Sequence, residues 1–123
     1  MNEEFENLPW HDANLQCIYI NRQNPGENDI VSFLIEWPEE SPASFVEFYD
    51  CYALNAKMNF GIISVESILE VKCIHNSSEI KEIRDKWLKI GVELTNLKCY
   101  RIVTNSTHSI IDVFSLGFRI KKA

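Results

Sequence analysis

The sequence predicts an α+β domain: a mainly antiparallel, curved β-sheet or flattened sandwich of six to seven strands, with one amphipathic helix at about residues 77–90 packed against it. Three observations carry the prediction. Apolar and polar residues alternate with a period of two over most of the chain. Only one stretch, Ile80, Ile83, Trp87 and Ile90, repeats at three- and four-residue steps. A doubly wound parallel sheet needs a crossover helix for nearly every parallel pair, and a single helix cannot supply them.

The elements follow in order after an N-terminal loop. Segment 15–22 alternates, with Leu15, Cys17 and Tyr19 on one side and Gln16, Ile18 and Ile20 on the other. Asn24-Pro25-Gly26-Glu27-Asn28 is turn chemistry, since proline presets φ and glycine accepts positive φ. Segment 29–37 returns with Val31, Phe33, Ile35 and Trp37 on one face, giving a hairpin that ends at Pro38. An acidic loop, 38–42, precedes a strand over 44–50, after which Leu54, Ala56, Met58 and Phe60 alternate up to Gly61. Val65, Leu69, Val71 and Cys73 then face inward, with Glu66, Glu70 and Lys72 facing water.

Asn76-Ser77-Ser78-Glu79 offers helix caps with a glutamate positioned to reach back. Glu82 before Lys86 and Asp85 before Lys89 have the favoured order for helical ion pairs, and Gly91 closes the helix. Strands at about 96–104 and 109–120 complete the sheet, the last with Ile110, Phe114, Leu116, Phe118 and Ile120 on one face.

At 123 residues, with 46% hydrophobic and 24% charged residues, the chain fits one domain, 1–123, able to bury a core without metal or disulfide support. No apolar run approaches the roughly 18–20 residues that cross a bilayer, and the start of the chain is acidic where a secretory signal is basic, so a cytoplasmic location is expected. Cys17, Cys51, Cys73 and Cys99 contain no CxxC pair and read as buried thiols. The three histidines lack metal-ligand spacing and the four glycines form no phosphate cradle, so no metal and no cofactor is expected.

The net charge of −6 is unevenly placed. Residues 1–50 hold eleven acids against one base, Arg22, a net −10, while the rest of the chain is a net +4. An acidic surface repels nucleic acid and anionic lipid and speeds association with basic partners. Lys98, Arg101, Arg119, Lys121 and Lys122 beside Tyr100 are a poor nucleic-acid footprint against that balance, and strand-edge solvation explains them. Neither nucleic acid nor membrane is expected as a partner.

Two arrangements could carry chemistry. His11-Asp12 pairs an imidazole with a carboxylate, although neighbours on an extended chain point apart and Asp12 could equally cap backbone amides. Cys51 beside Asp50 would need a distant histidine, and no nucleophile signature surrounds it. Acids also cluster with aromatics, as interfaces do: Trp10 with Asp12, Trp37 with Glu36, Glu39 and Glu40, and Tyr49 and Tyr52 with Asp50. Alternation offers a plain reading of the same residues, in which Trp37 and Tyr49 are core and the acids face water.

Pro9-Trp10-His11-Asp12-Ala13, the turn at Asn24-Pro25-Gly26, Asp50-Cys51-Tyr52 and Met58-Asn59-Phe60-Gly61 together resemble small bacterial proteins with a His-Asp-Ala segment near the N-terminus. Some of those are immunity proteins of polymorphic or contact-dependent toxin systems. The resemblance implies a cytoplasmic, non-enzymatic protein, monomer or weak dimer, that occludes a cognate and basic toxin domain, possessing no catalytic residues of its own. Trp10, Asp12, Glu36, Glu39, Glu40 and Asp50 are the candidate contact residues. The alternative is a small-molecule or enzymatic site near His11 and Asp50 in the concave face of the sheet. A third reading is a structural subunit pairing through an edge strand such as 109–120.

Overall fold

The computed structural model describes residues 2–38 and 42–123. The chain runs α1 (Asn2–Glu6), β1 (Asn14–Ile20), β2 (Val31–Glu36), β3 (Ser44–Lys57), β4 (Ile68–Ile74), α2 (Ser78–Leu88), β5 (Lys98–Thr104) and β6 (Ile110–Lys122). All six strands form one antiparallel sheet in the order β1-β2-β3-β6-β5-β4. The sheet curls until its two edge strands nearly meet. Leu15 donates its amide to the Glu66 carbonyl at 2.8 Å, and the Ile68 amide returns to the Ala13 carbonyl at 2.8 Å, so the rim is stitched at one point, Asn14 opposite Ser67. The result is an α+β half-barrel.

The two faces of the sheet carry separate cores. The concave face is filled by Val31, Phe33, Ile35, Val46, Phe48, Tyr100, Ile102, Ile111 and Val113, with Phe5 of α1 and Trp10 laid over them. Phe5 is fully buried and meets Trp10, Phe48, Tyr100 and Phe118 at ring separations of 4.9–5.9 Å. The convex face packs Cys99, Phe114 and Leu116 against Ile80, Ile83 and Trp87 of α2, and Tyr52 stands edge-on to Trp87 at 4.9 Å. A helix with one apolar stripe needs only one sheet face, so each helix takes its own.

Several predicted details differ, each for a local reason. The N-terminal loop contains α1, whose five residues are too few to show a helical period. Segment 44–50 and the alternating stretch after it are one fourteen-residue strand that stops at Lys57, short of Met58 and Phe60, and is bent where the pairing slips between Cys51 and Ala53 and where Asp50 adopts φ 50°. A second slip between Ile68 and Glu70 changes only the start of β4: Ile68 is buried and Leu69 exposed, and Val65 is exposed in the loop before the strand, while Val71 and Cys73 face the core and Glu70 and Lys72 face water as predicted. Along β6, Phe114 and Leu116 pack on the α2 side but Phe118 packs with Phe5 on the other, so these do not share a face. Segment 109–120 is no edge, because β6 lies mid-sheet between β3 and β5.

In α2, Ser77 caps by accepting the Ile80 amide at 3.2 Å. Glu79 accepts the Ser78 hydroxyl instead of reaching back to the cap. Among the described residues the helix holds Lys81–Asp85 at 3.1 Å in place of the two predicted pairs. The helix stops at Leu88, Gly91 follows at φ 85°, and Ile90 is left exposed beyond the stripe.

Candidate functional site

The predicted contact residues fall into two groups. At one end of β2, Glu36 pairs in register with Asn14, which donates its side-chain amide to the Glu36 carboxylate at 3.0 Å. Asp12 lies two residues before Asn14, in the left-handed region at φ 66°, with its carboxylate 3.5 Å from His11 Nε2. Both side chains are almost wholly in water, 97% and 78% exposed, where an ion pair is worth little. Trp10 belongs to the interior: it is 5% exposed, donates its indole N–H to the Phe5 carbonyl at 2.7 Å, and packs on Trp37 at 5.0 Å. Trp37 likewise is core, donating to Ser44 Oγ at 2.6 Å. Glu39 and Glu40 lie outside the described residues.

Asp50 stands at the other end of β2. Phe48 pairs with Val31, the first residue of β2, and the Cys51 amide bonds the Asp29 carbonyl at 3.0 Å. Five residues of strand, roughly 17 Å, separate that end from Glu36. His11 and Asp50 are thus not brought together, and the concave face between them is packed with aromatic rings. Clefts of about 430 and 530 Å³ run along α2, both lined by Arg84 and Asp85, and neither is lined by His11 or Asp50.

The thiols are poorly placed for nucleophilic work. Burial pushes Cys51 up to about 11 and Cys99 up to about 12, the nearby carboxylates adding to the effect, so both stay protonated at neutral pH. All four cysteines are free. Among the described residues no three His, Cys, Asp or Glu side chains come together as metal ligands, and no helix is long and apolar enough to cross a membrane.

The charge map acquires a spatial form from the topology. Strands β1, β2 and the first half of β3 come from the acidic segment and occupy one half of the sheet; β6, β5 and β4 occupy the other. Several C-terminal bases are committed internally. Arg101 holds Asp112 in a two-point pair at 2.7 and 2.9 Å, while Arg119 and Lys121 both reach Glu47. Arg84 donates to the carbonyls of Leu94, Thr95 and Leu97, and Lys98 to those of Asn96 and Leu116.

One surface was not legible as such in the sequence. The loop 58–67, between β3 and β4, exposes Phe60 (84%), Ile62, Ile63 and Val65. Its stem is fixed. Asn59 donates to the carbonyls of Thr107 and His108, Glu66 accepts the Thr107 hydroxyl at 2.5 Å, and Ser106 donates to the Val65 carbonyl at 2.6 Å. A shallow cleft of about 360 Å³ separates this loop from β1, lined by Leu15, Cys17, Ile18, Met58, Phe60 and Glu66. Phe60, Ile62, Ile63 and Val65 were the available signal, but Met58 and Phe60 read as the end of one alternating segment, closed by Gly61, and Val65 as the start of the next.

No protein-family model matches this chain, and no curated protein or solved structure is detectably similar to it.

Proposed function

We propose that this chain acts by binding another protein, as an immunity protein that occludes a basic toxin domain through an acidic surface. The observation that carries the reading is the spatial segregation of charge. Asp12, Glu36 and Asp50 are exposed on the β1–β2–β3 half of the sheet, while on β4 and at α2 the exposed bases Lys72, Lys81, Lys86 and Lys89 are balanced by the exposed acids Glu70, Glu79, Glu82 and Asp85. Such a field steers a basic partner to one half of the molecule and raises its association rate. A small-molecule site near His11 and Asp50 is not proposed, since those residues stand at opposite ends of β2 over a filled interior.

The test is co-expression. The C-terminal domain of the protein encoded by the neighbouring upstream gene is expressed alone and then with this chain. Toxicity relieved by the wild-type chain, and relieved less by the double variant Glu36→Lys, Asp50→Lys, supports the reading. A toxic domain that this chain does not relieve, or a non-toxic neighbour, overturns it. With a purified pair, the association rate falls as salt rises, and a rate indifferent to ionic strength removes the steering mechanism.

A further inference from the structure

We propose that the free edge of β1 is a self-association surface, on which two copies pair their β1 strands antiparallel about a two-fold axis near Ile18. The proposal stands apart from the toxin-binding reading and rests on how differently the two sheet edges are treated.

The β4 edge is protected. The Glu6 carboxylate accepts the Cys73 amide at 2.8 Å, α1 packs beside the strand, and Glu70 and Lys72 put charge along it. On β1 only the first turn of the ladder is occupied, by Ser67 and Glu66 opposite Asn14 and Leu15. From Gln16 to Ile20, among the described residues, no strand lies on the outer side. This segment holds no charge and no proline, the usual devices against edge-to-edge pairing, and Tyr19 and Ile20 are half exposed. A bare, uncharged, apolar edge is a template for another strand.

A second copy fits that template at both ends. An antiparallel pairing centred on Ile18 sets Gln16 of one copy opposite Ile20 of the other. Beside Gln16 lies the cleft formed with Met58 and Phe60. Ile20, on the face of Val31 and Phe48, therefore comes beside the Met58–Phe60 cleft of the other copy, and Tyr19, on the opposite face beside Phe45, comes beside the other's Cys17, contacts that the symmetry makes twice. The charges agree as well. Arg22, just past β1 and 3.6 Å from Asp29 of its own chain, comes to the end where Glu66 of the second copy, its carboxylate held by Thr107, lines the cleft beside Leu15, and the paired segment itself brings no like charges together. The rigid anchoring of the loop by Asn59 and Glu66 holds Phe60 in place before contact, which lowers the ordering entropy of association.

Sedimentation equilibrium on the full chain over a roughly hundredfold concentration range tests this. The wild-type chain is expected to form a dimer, with Tyr19→Lys and Phe60→Lys each weakening it at least about tenfold and Leu88→Lys, an equally apolar exposed site on α2, leaving it unchanged. Hydrogen exchange supplies a second readout that needs no variant: amides within Gln16–Ile20 should exchange more slowly in concentrated than in dilute protein. A wild-type chain that stays monomeric over the whole range, a dimer indifferent to both edge variants, or one dissolved by Leu88→Lys overturns the proposal. Protection that does not change with concentration does the same.

Discussion

Gly117 lies under the ring of Tyr49, its cross-strand neighbour: a Cβ at position 117 would sit 2.6 Å from Tyr49 Cζ and closer still to the hydroxyl. Arg119 covers the same ring, its guanidinium carbon 5.4 Å from the centroid. The glycine is needed for this close approach and not for its backbone angles. Gly117→Ala is expected to destabilise the domain by about 1–3 kcal/mol through overpacking. Tyr49→Ala should remove much of that penalty in the double variant. Urea unfolding of the four proteins in a double-mutant cycle gives the coupling, and additive effects would show that the contact is not the cause.

Phe5 closes the concave core from a helix only five residues long. Phe5→Ala is expected to cost about 3–5 kcal/mol, a large part of the stability of a domain this size. Phe60→Ala, at an exposed position, should stay within about 0.5 kcal/mol. Chemical denaturation followed by tryptophan fluorescence measures both, and Trp10 in contact with Phe5 makes the signal sensitive to the first.

Two arginine–carboxylate pairs differ in burial and should differ in worth. Asp112 is 6% exposed and held at two points by Arg101, whose own ionisation is driven further up by that carboxylate. Arg101→Met leaves that acid short of its partner and should destabilise by about 1–3 kcal/mol. Arg119→Met opens the more exposed pair with Glu47 and should lose at most about 1 kcal/mol. Equal losses in thermal melts would contradict the assignment.

The raised thiols set an alkaline limit. An unfolded cysteine ionises near its ordinary value of 9, whereas folded Cys51 and Cys99 hold their protons to about 11 and about 12. The folded state binds these protons more tightly, so their contribution is fully present below pH 9 and is lost as pH rises through the folded values. Stability should therefore decline above pH 9, and Cys99→Ala should flatten that decline. Thiol-specific labelling at pH 8 should be slow in the native protein and fast in denaturant.

Most strands and α2 were legible because alternation and the Ile80–Ile83–Trp87 spacing are written in side-chain type. Facing was less so. Pairing slips near Gln16, Tyr52 and Leu69 each add one residue to a strand, and one residue is enough to turn Leu69 from the predicted inside to the outside. Trp10 read as an interface anchor because acids neighbour it, yet Phe5, Leu8 and Trp10 form an apolar set that packs inward. The acidic candidates Asp12, Glu36 and Asp50 are exposed, but their division between the two ends of β2 depends on register, which composition does not encode.

The place of Phe5 among Phe48, Tyr100 and Phe118 also sets a timetable for synthesis. A ribosome releases residue 5 long before residue 118 exists, so the helix that fills the half-barrel has no wall to pack against until the final strand has emerged. The nascent chain cannot bank its core piece by piece; β1, β2 and β3 must wait as a three-stranded meander with aromatic rings open on one side. Core formation is thereby concentrated into the moments after β6 has emerged, and chaperone capture of the unfinished meander becomes a natural competitor of folding.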